Sequence, residues 1–233
     1  MREPMRVAVL ASGGGTNLQA LIDHFNPAPA PAARVELVVA SRVGIGALAR
    51  AERSGIPSVV LDAREIGTAE LAGRLLAELE RHGIDLVVLA GWLQLVPAEV
   101  VERYHGRMLN VHPALLPSFG GKGMYGMRVH RAVIESGVRV SGATVHRVSD
   151  RYDEGRIVAQ WPVPVLDGDT PERLAERVLA VEHCILPLAV EAVARAGDPA
   201  PEVLGPLCFD LVEAPTPPSS SIRLTLSHDA KTG

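Results

Sequence analysis

Residues 6–11, 35–40, 58–62 and 84–90 are short runs dominated by Val, Ile, Leu and Ala, and the stretches between them carry apolar residues at helical spacing. A strand that alternates apolar and polar residues rests one face on a core, whereas a strand that is apolar almost throughout has to be covered on both. Such strands taking turns with helices at 18–25, 47–54 and 68–82 commit the chain to a doubly wound, Rossmann-like α/β fold with a mostly parallel sheet. A helix ending at His105-Gly106 leads into a fifth strand at 107–111. Past a helix at 130–136 the pattern changes, because 139–148 and 156–165 read as two strands joined by residues 149–155, a late antiparallel addition. A long amphipathic helix at 170–195 opens on Thr170-Pro171, an N-cap followed by proline at the first helical position, and is expected to pack back across the sheet.

At 233 residues there is room for one large domain, expected over 1–197, and a C-terminal extension at 198–233 of short strands or partly disordered tail. A net charge of -4 supplies no long-range field for nucleic acid, so the expected partners are small molecules. Cys184 and Cys208 stand in no CxxC or other metal-ligand spacing and read as thiols of a reducing compartment, with no metal. The apolar run at 7–11 is too short for the core of a signal peptide and no run approaches a membrane span, so a cytoplasmic monomer or homodimer without membrane or nucleic-acid partners is expected.

Chemistry is first suggested by Ser12-Gly13-Gly14-Gly15-Thr16-Asn17, which follows the first strand. Glycines there let the backbone turn and aim N–H groups and a helix N-terminus at an anion, most naturally a phosphate. The loop departs from the dinucleotide fingerprint, since Leu18 stands where a third small residue belongs and the second strand ends in Ser41-Arg42 without an acid for a ribose. Arg42 leaves an NADP reading open, and a tight turn without any ligand is the plainer alternative. No Gly-Lys-Ser/Thr follows, so the loop is not a P-loop.

A stronger signal is Asn110-Val111-His112-Pro113-Ala114-Leu115-Leu116-Pro117, at the carboxyl end of the fifth strand, where open α/β sheets bind ligands. Strand residues two apart point the same way, so Asn110 and His112 can face one reacting centre. An amide N–H beside an imidazole offers what acyl transfer to an amine needs, a donor for the developing oxyanion and a group that exchanges a proton. A hydrogen-bonded structural pair is the competing reading of the same residues.

The octapeptide resembles the hallmark of the formyltetrahydrofolate-using formyltransferase family, Asn-(Ile/Val)-His-Pro-(Ser/Ala)-Leu-Leu-Pro. The resemblance runs from about residue 5 to 195 and includes the glycine loop and Leu89-Ala90-Gly91-Trp92. It implies transfer of the formyl group of 10-formyltetrahydrofolate, the cosubstrate, to the amine of glycinamide ribonucleotide in purine synthesis. It assigns Asn110, His112 and Asp153 to catalysis, with Asp150 as the rival acid in the 149–155 connection. Folate binding falls to Leu93, Gln94, Leu95, Val96 and Asn110, and to Ser149, Asp150, Arg151, Tyr152 and Asp153. Gly15, Thr16 and Asn17 are implied to hold the ribosyl phosphate, and Leu179, Ala180, Val181 and Glu182 to face the glycinamide end. Glu182 beside His183 also fits an ordinary helix-surface pair. His146 either supports the site or is a satisfied half-buried histidine. Family members carry an Arg near the start of the third helix that meets the folate tail; Thr68 stands there in this chain, with Arg64 a few residues earlier. Lys122, in the glycine-rich 120–126 loop, reads either as a partner of the substrate phosphate or as a solvated lysine.

Within the family, tRNA-formylating members add a nucleic-acid-binding domain and formyltetrahydrofolate hydrolases an N-terminal regulatory one, and the chain is expected to have room for neither. From other classes, an NADP reductase requires Arg42 on a 2′-phosphate and a folate-binding module requires binding without turnover. Metal hydrolysis through His112, His146 and Asp153 lacks a compact ligand motif.

Overall fold

The computed structural model describes residues 3–196. The expected boundary at 197/198, the tail beyond it and Cys208 lie outside those residues. The chain runs β1 (Met5–Ala11), α1 (Thr16–Phe25), β2 (Ala33–Ala40), α2 (Gly46–Arg53), β3 (Ser58–Val60), α3 (Ala63–Ile66), α4 (Thr68–Arg81), β4 (Leu86–Leu89) and α5 (Ala98–Arg103). It continues through β5 (Met108–His112), α6 (Met127–Ser136), β6 (Val140–Arg147), β7 (Ile157–Pro164) and α7 (Pro171–Ala196). The seven strands form one sheet in the order β3-β2-β1-β4-β5-β6-β7. The first five are parallel; β6 is antiparallel to β5, and β7 to β6.

Period-two geometry sorts each central strand onto two cores. Val7, Val9 and Ala11 of β1 and Leu86 and Val88 of β4 face α1, α2, α6 and α7. Ala8 and Leu10, with Val87 and Leu89, face α4 and α5. Covering both faces is what the unbroken apolar runs require, and each buried Leu or Val contributes roughly 1.5–3 kcal/mol against the unfolded chain. Helix α7 packs on α1, α6, β6 and β7. The Thr170 hydroxyl accepts a hydrogen bond from the Arg173 N–H at 3.3 Å, the expected N-cap.

Several boundaries differ from the expectation by a residue or more, and three of the differences have a physical cause in the structure. The third strand stops at Val60, because Asp62 leaves the sheet to accept the Arg64 N–H and caps α3, a one-turn helix without a periodic signal. Helix α6 starts at Met127, directly after Gly126, three residues before the expected start at His130. Helix α1 starts at Thr16 because Gly15, at φ 72°, turns the chain into it. Gly13 and Gly14 keep ordinary φ, so the left-handed freedom of this loop is used at one position only. A Cβ on Gly15 would also lie 2.7 Å from the Ala47 Cα, which excludes every other residue there.

Candidate active site

Strand β5 ends on Asn110 and His112, and the antiparallel register of β6 sets His146 across from Asn110 and Thr144 across from His112. The His146 Nδ1 lies 2.9 Å from the Arg147 carbonyl, which only accepts, so this nitrogen carries the hydrogen. His146 Nε2 is then the acceptor for the Asn110 amide, at 3.0 Å. His146 is 2% exposed and fully bonded, so it is both a satisfied buried histidine and a direct support of Asn110. Thr144 serves the exit of the strand: its hydroxyl donates to the Ala114 carbonyl at 2.6 Å and accepts the Leu116 N–H at 3.0 Å.

Asp153 comes from the connection between β6 and β7 and lies between the two imidazoles, its Oδ2 3.6 Å from His112 Nδ1 and its Oδ1 3.5 Å from His146 Nε2. Asp150 is exposed on the same turn and meets neither ring. The glycine-rich loop closes the arrangement from the other side. Gly121 N–H donates to Asp153 Oδ2 at 2.8 Å, and His112 Nε2 donates to the Phe119 carbonyl at 2.8 Å. Both residues that supply partners to His112 adopt positive φ, Phe119 at 55° and Asp153 at 56°, a region that side chains other than glycine seldom enter.

The Phe119 bond fixes the neutral tautomer of His112, with hydrogen on Nε2 and the basic Nδ1 facing Asp153. Burial lowers the His112 pKa below the usual imidazole range; the Asp153 charge and the Phe119 bond pull the other way without overcoming it. Burial acts to raise the Asp153 carboxyl, but the neighbouring His146 and His112 rings and the Gly121 N–H outweigh it, and the carboxyl lies below its ordinary value. A neutral imidazole beside an ionised carboxylate is a couple ready to accept one proton.

These groups open onto a cavity of about 500 Å³, within the usual range for small-molecule sites. One wall is formed by Leu93, Gln94, Leu95 and Val96 with Trp92, together with residues 149–153. The Gln94 side chain is consumed structurally, donating to the Ser41 and Leu61 carbonyls at 3.1 and 3.3 Å and accepting the Ala63 N–H at 3.1 Å. The other wall carries Asn17 from α1, His130 from α6, and Leu179 and Glu182 from α7.

Glu182 is 7% exposed and accepts the Asn17 amide at 2.6 Å, which removes the surface-pair reading with His183. Its burial pushes the carboxyl up to about 7, against the lowering effect of Asn17. Leu179 and Glu182 share a helical stripe with Ala175; the same period turns Ala180 to solvent and Val181 into the core, so these two do not line the cavity. Gly15 and Thr16 stand at the start of α1 and also lie outside the lining, whereas Asn17 belongs to it. Lys122 is exposed on the loop, with no contact that favours a ligand role.

His130 was not among the residues the sequence singled out. Its signal was a histidine on the buried stripe of α6, beside Val129 and Val133. Among the described residues no group of His, Cys, Asp and Glu is arranged to hold a metal, and no helix is long and apolar enough to cross a membrane.

A family model described as formyl transferase matches residues 5–190. The chain is 44% identical over 195 residues to the chloroplastic phosphoribosylglycinamide formyltransferase of Arabidopsis thaliana, covering 82% of this chain and 66% of that protein. It is 41% identical over 206 residues to the trifunctional purine biosynthetic protein adenosine-3 of Gallus gallus, covering 88% of this chain but 20% of that protein. Among solved structures, glycinamide ribonucleotide transformylase 1 from Symbiobacterium toebii superposes with a TM-score of 0.77 at 40% identity, over 83% of this chain and 89% of that one. Phosphoribosylglycinamide formyltransferase from Brucella melitensis gives 0.75 at 40% identity, over 82% and 96%.

Proposed function

The chain belongs to the formyl transferase family, and we propose that it transfers the formyl group of 10-formyltetrahydrofolate to the amine of glycinamide ribonucleotide, giving the N-formyl product and tetrahydrofolate in purine biosynthesis. The observation that carries this reading is the meeting of Asn110, His112 and Asp153 at the floor of a cavity with one apolar wall and one buried polar wall. The names of its relatives supply the acceptor, and the family resemblance supplies the folate donor. We assign the apolar wall to the pterin and the polar wall to the acceptor.

In this reading the substrate's free amine attacks the formyl carbon, forming a C–N bond and a tetrahedral oxyanion. Asn110 has two amide hydrogens; one is bonded to His146, and the other serves the oxyanion. The His112 Nε2–H, bonded to the Phe119 carbonyl before reaction, redirects its hydrogen bond to the same oxygen and keeps its hydrogen. Preorganised donors of this kind stabilise the charge where it develops, without solvent reorganisation. The attacking nitrogen then releases its proton to the His112 and Asp153 couple, and an equivalent proton reaches N10 as its bond to the formyl carbon breaks. No covalent formyl-enzyme is needed. For the folate tail, Arg64 is the cation we assign: Gln94 ties the neighbouring Ala63 to the pterin wall, and the Arg64 side chain is 75% exposed while paired with Asp62. Gly15 and Thr16 at the start of α1 remain our assignment for the ribosyl phosphate, along with Asn17. We place the protein in the cytoplasm, although the Arabidopsis relative is chloroplastic by name.

The test is turnover of 10-formyltetrahydrofolate with and without glycinamide ribonucleotide, following the folate by absorbance and the product by mass. Formylated ribonucleotide, formed only when the acceptor is present, is the expected result. Deformylation at equal rates without acceptor would identify a hydrolase, and no turnover in either case would leave a binding module.

A further inference from the structure

His130 sits on α6, the helix that packs against α7, and is 5% exposed. It lines the same cavity as Asn17, Leu179 and Glu182. Its Nδ1 is buried and has no hydrogen-bond partner. Buried side-chain nitrogens in native proteins are nearly always bonded, and leaving one unmade costs about 1–3 kcal/mol. Asn17 Oδ1, on the same wall, is buried without a partner too. Trp92 Nε1 is a third such atom among the residues that line the cavity, and polar atoms buried beside a cavity without partners can be completed by a ligand that enters it.

The ring's charge state narrows the kind of partner. Burial lowers the His130 pKa to about 4, and the neighbouring His112 ring, which a second charge would oppose, adds to the shift. The imidazole is therefore neutral at physiological pH, with one donor and one acceptor nitrogen. A neutral ring matches an uncharged group and is a poor choice for a phosphate. His130 lines the same cavity as His112, on the wall that carries Glu182 and that is assigned to the acceptor.

We infer that His130 binds the acceptor substrate, exchanging a hydrogen bond with the amide of its glycinamide group, and so helps select that acceptor. The inference rests on the acceptor assignment made above. It assigns His130 no proton transfer and no role in folding. Stability and binding should then oppose each other at this position, because an apolar side chain of similar size relieves the orphaned nitrogen while removing the contact.

The experiment compares steady-state kinetics and thermal unfolding of wild type, His130→Leu and His130→Asn. For His130→Leu the KM for glycinamide ribonucleotide should rise about tenfold, as expected for the loss of one buried hydrogen bond. The KM for 10-formyltetrahydrofolate should stay within about twofold, and Tm should be unchanged or higher. His130→Asn, which keeps a polar atom near the Nδ1 position, should recover acceptor KM to within about threefold of wild type. An unchanged acceptor KM in the leucine variant overturns the inference, as does an equal rise in both KM values. If the leucine variant does not fold, the wild type decides: with 15N-labelled histidine, saturating acceptor should shift the nitrogens of a buried neutral ring and folate should not. Absence of that shift overturns the inference. Wild type that transfers no formyl group at all would instead sink the functional reading.

Discussion

Leu93 and Leu95, on one wall of the cavity, are 58% and 61% exposed, while Glu182 on the other is 7% exposed. The first wall is made of loop segments, 93–96 and 149–153, and offers Leu93, Leu95 and the Tyr152 ring to water. The second is made of three helices, and its polar side chains are withdrawn from water, with Asn17 Oδ1 and His130 Nδ1 left without partners. An exposed apolar surface gains from any flat ring that covers it and discriminates weakly. A buried polar surface gains only from a ligand that completes its hydrogen bonds, and rejects one that does not. The division suits a reaction in which a large shared donor meets one particular acceptor.

Asn110 and His112 stand where the walls meet, and replacing them should have the largest effect. Asn110→Ala and His112→Ala should each lower kcat about a hundred- to a thousandfold with both substrates saturating. Near-wild-type turnover in either variant would remove that residue from the oxyanion site.

Glu182→Gln sharpens the contrast through pH. A carboxyl whose folded pKa is raised to about 7 is held protonated by the fold. The wild type therefore loses stability as pH rises from the unfolded value, near 4.5, to the folded one, and the loss is complete above pH 7. Glutamine carries no such penalty. At pH 8 the variant should be more stable than wild type by up to about 3 kcal/mol in denaturant unfolding, and at pH 4 the difference should vanish. Its acceptor KM should rise. Equal stability of the two proteins at pH 8 would mean that the buried carboxyl carries no cost.

The smallest effect belongs to the loop wall. Leu95→Ser should change stability by less than about 0.5 kcal/mol, because the side chain is already exposed, and should raise the folate KM about threefold while leaving the acceptor KM alone. A matching rise in acceptor KM would show that the walls are not divided between the two substrates.

Much of this was legible in the chain itself. Unbroken apolar runs imply a sheet covered on both faces, and the observed order of five parallel strands followed by an antiparallel pair matches that reading. Asn110 and His112 were marked out by strand periodicity together with the family octapeptide, both short-range signals. Helix α3 was not legible, because a single turn held by the Asp62 cap carries no period. His130 was hidden for a different reason. The helix expected from the sequence begins at His130, and a histidine at the presumed start of a helix gives no sign of facing a cavity. Ala180 and Val181 went along with their neighbours in a contiguous segment, although a helix presents every third or fourth residue to one side.

Local geometry determined which residues could face the same way: periods of two in a strand and 3.6 in a helix need no partner to be read. Tertiary structure decided what those residues meet. The antiparallel register of β6 brings His146 to Asn110 across 36 positions, and a turn at positive φ sets Asp153 between two imidazoles. Packing of α7 on α1 buries Glu182 against Asn17 across 165 positions. Ionisation follows from the same contacts, because desolvation and neighbouring charge depend on what surrounds a group in space, and adjacency along the chain does not record it.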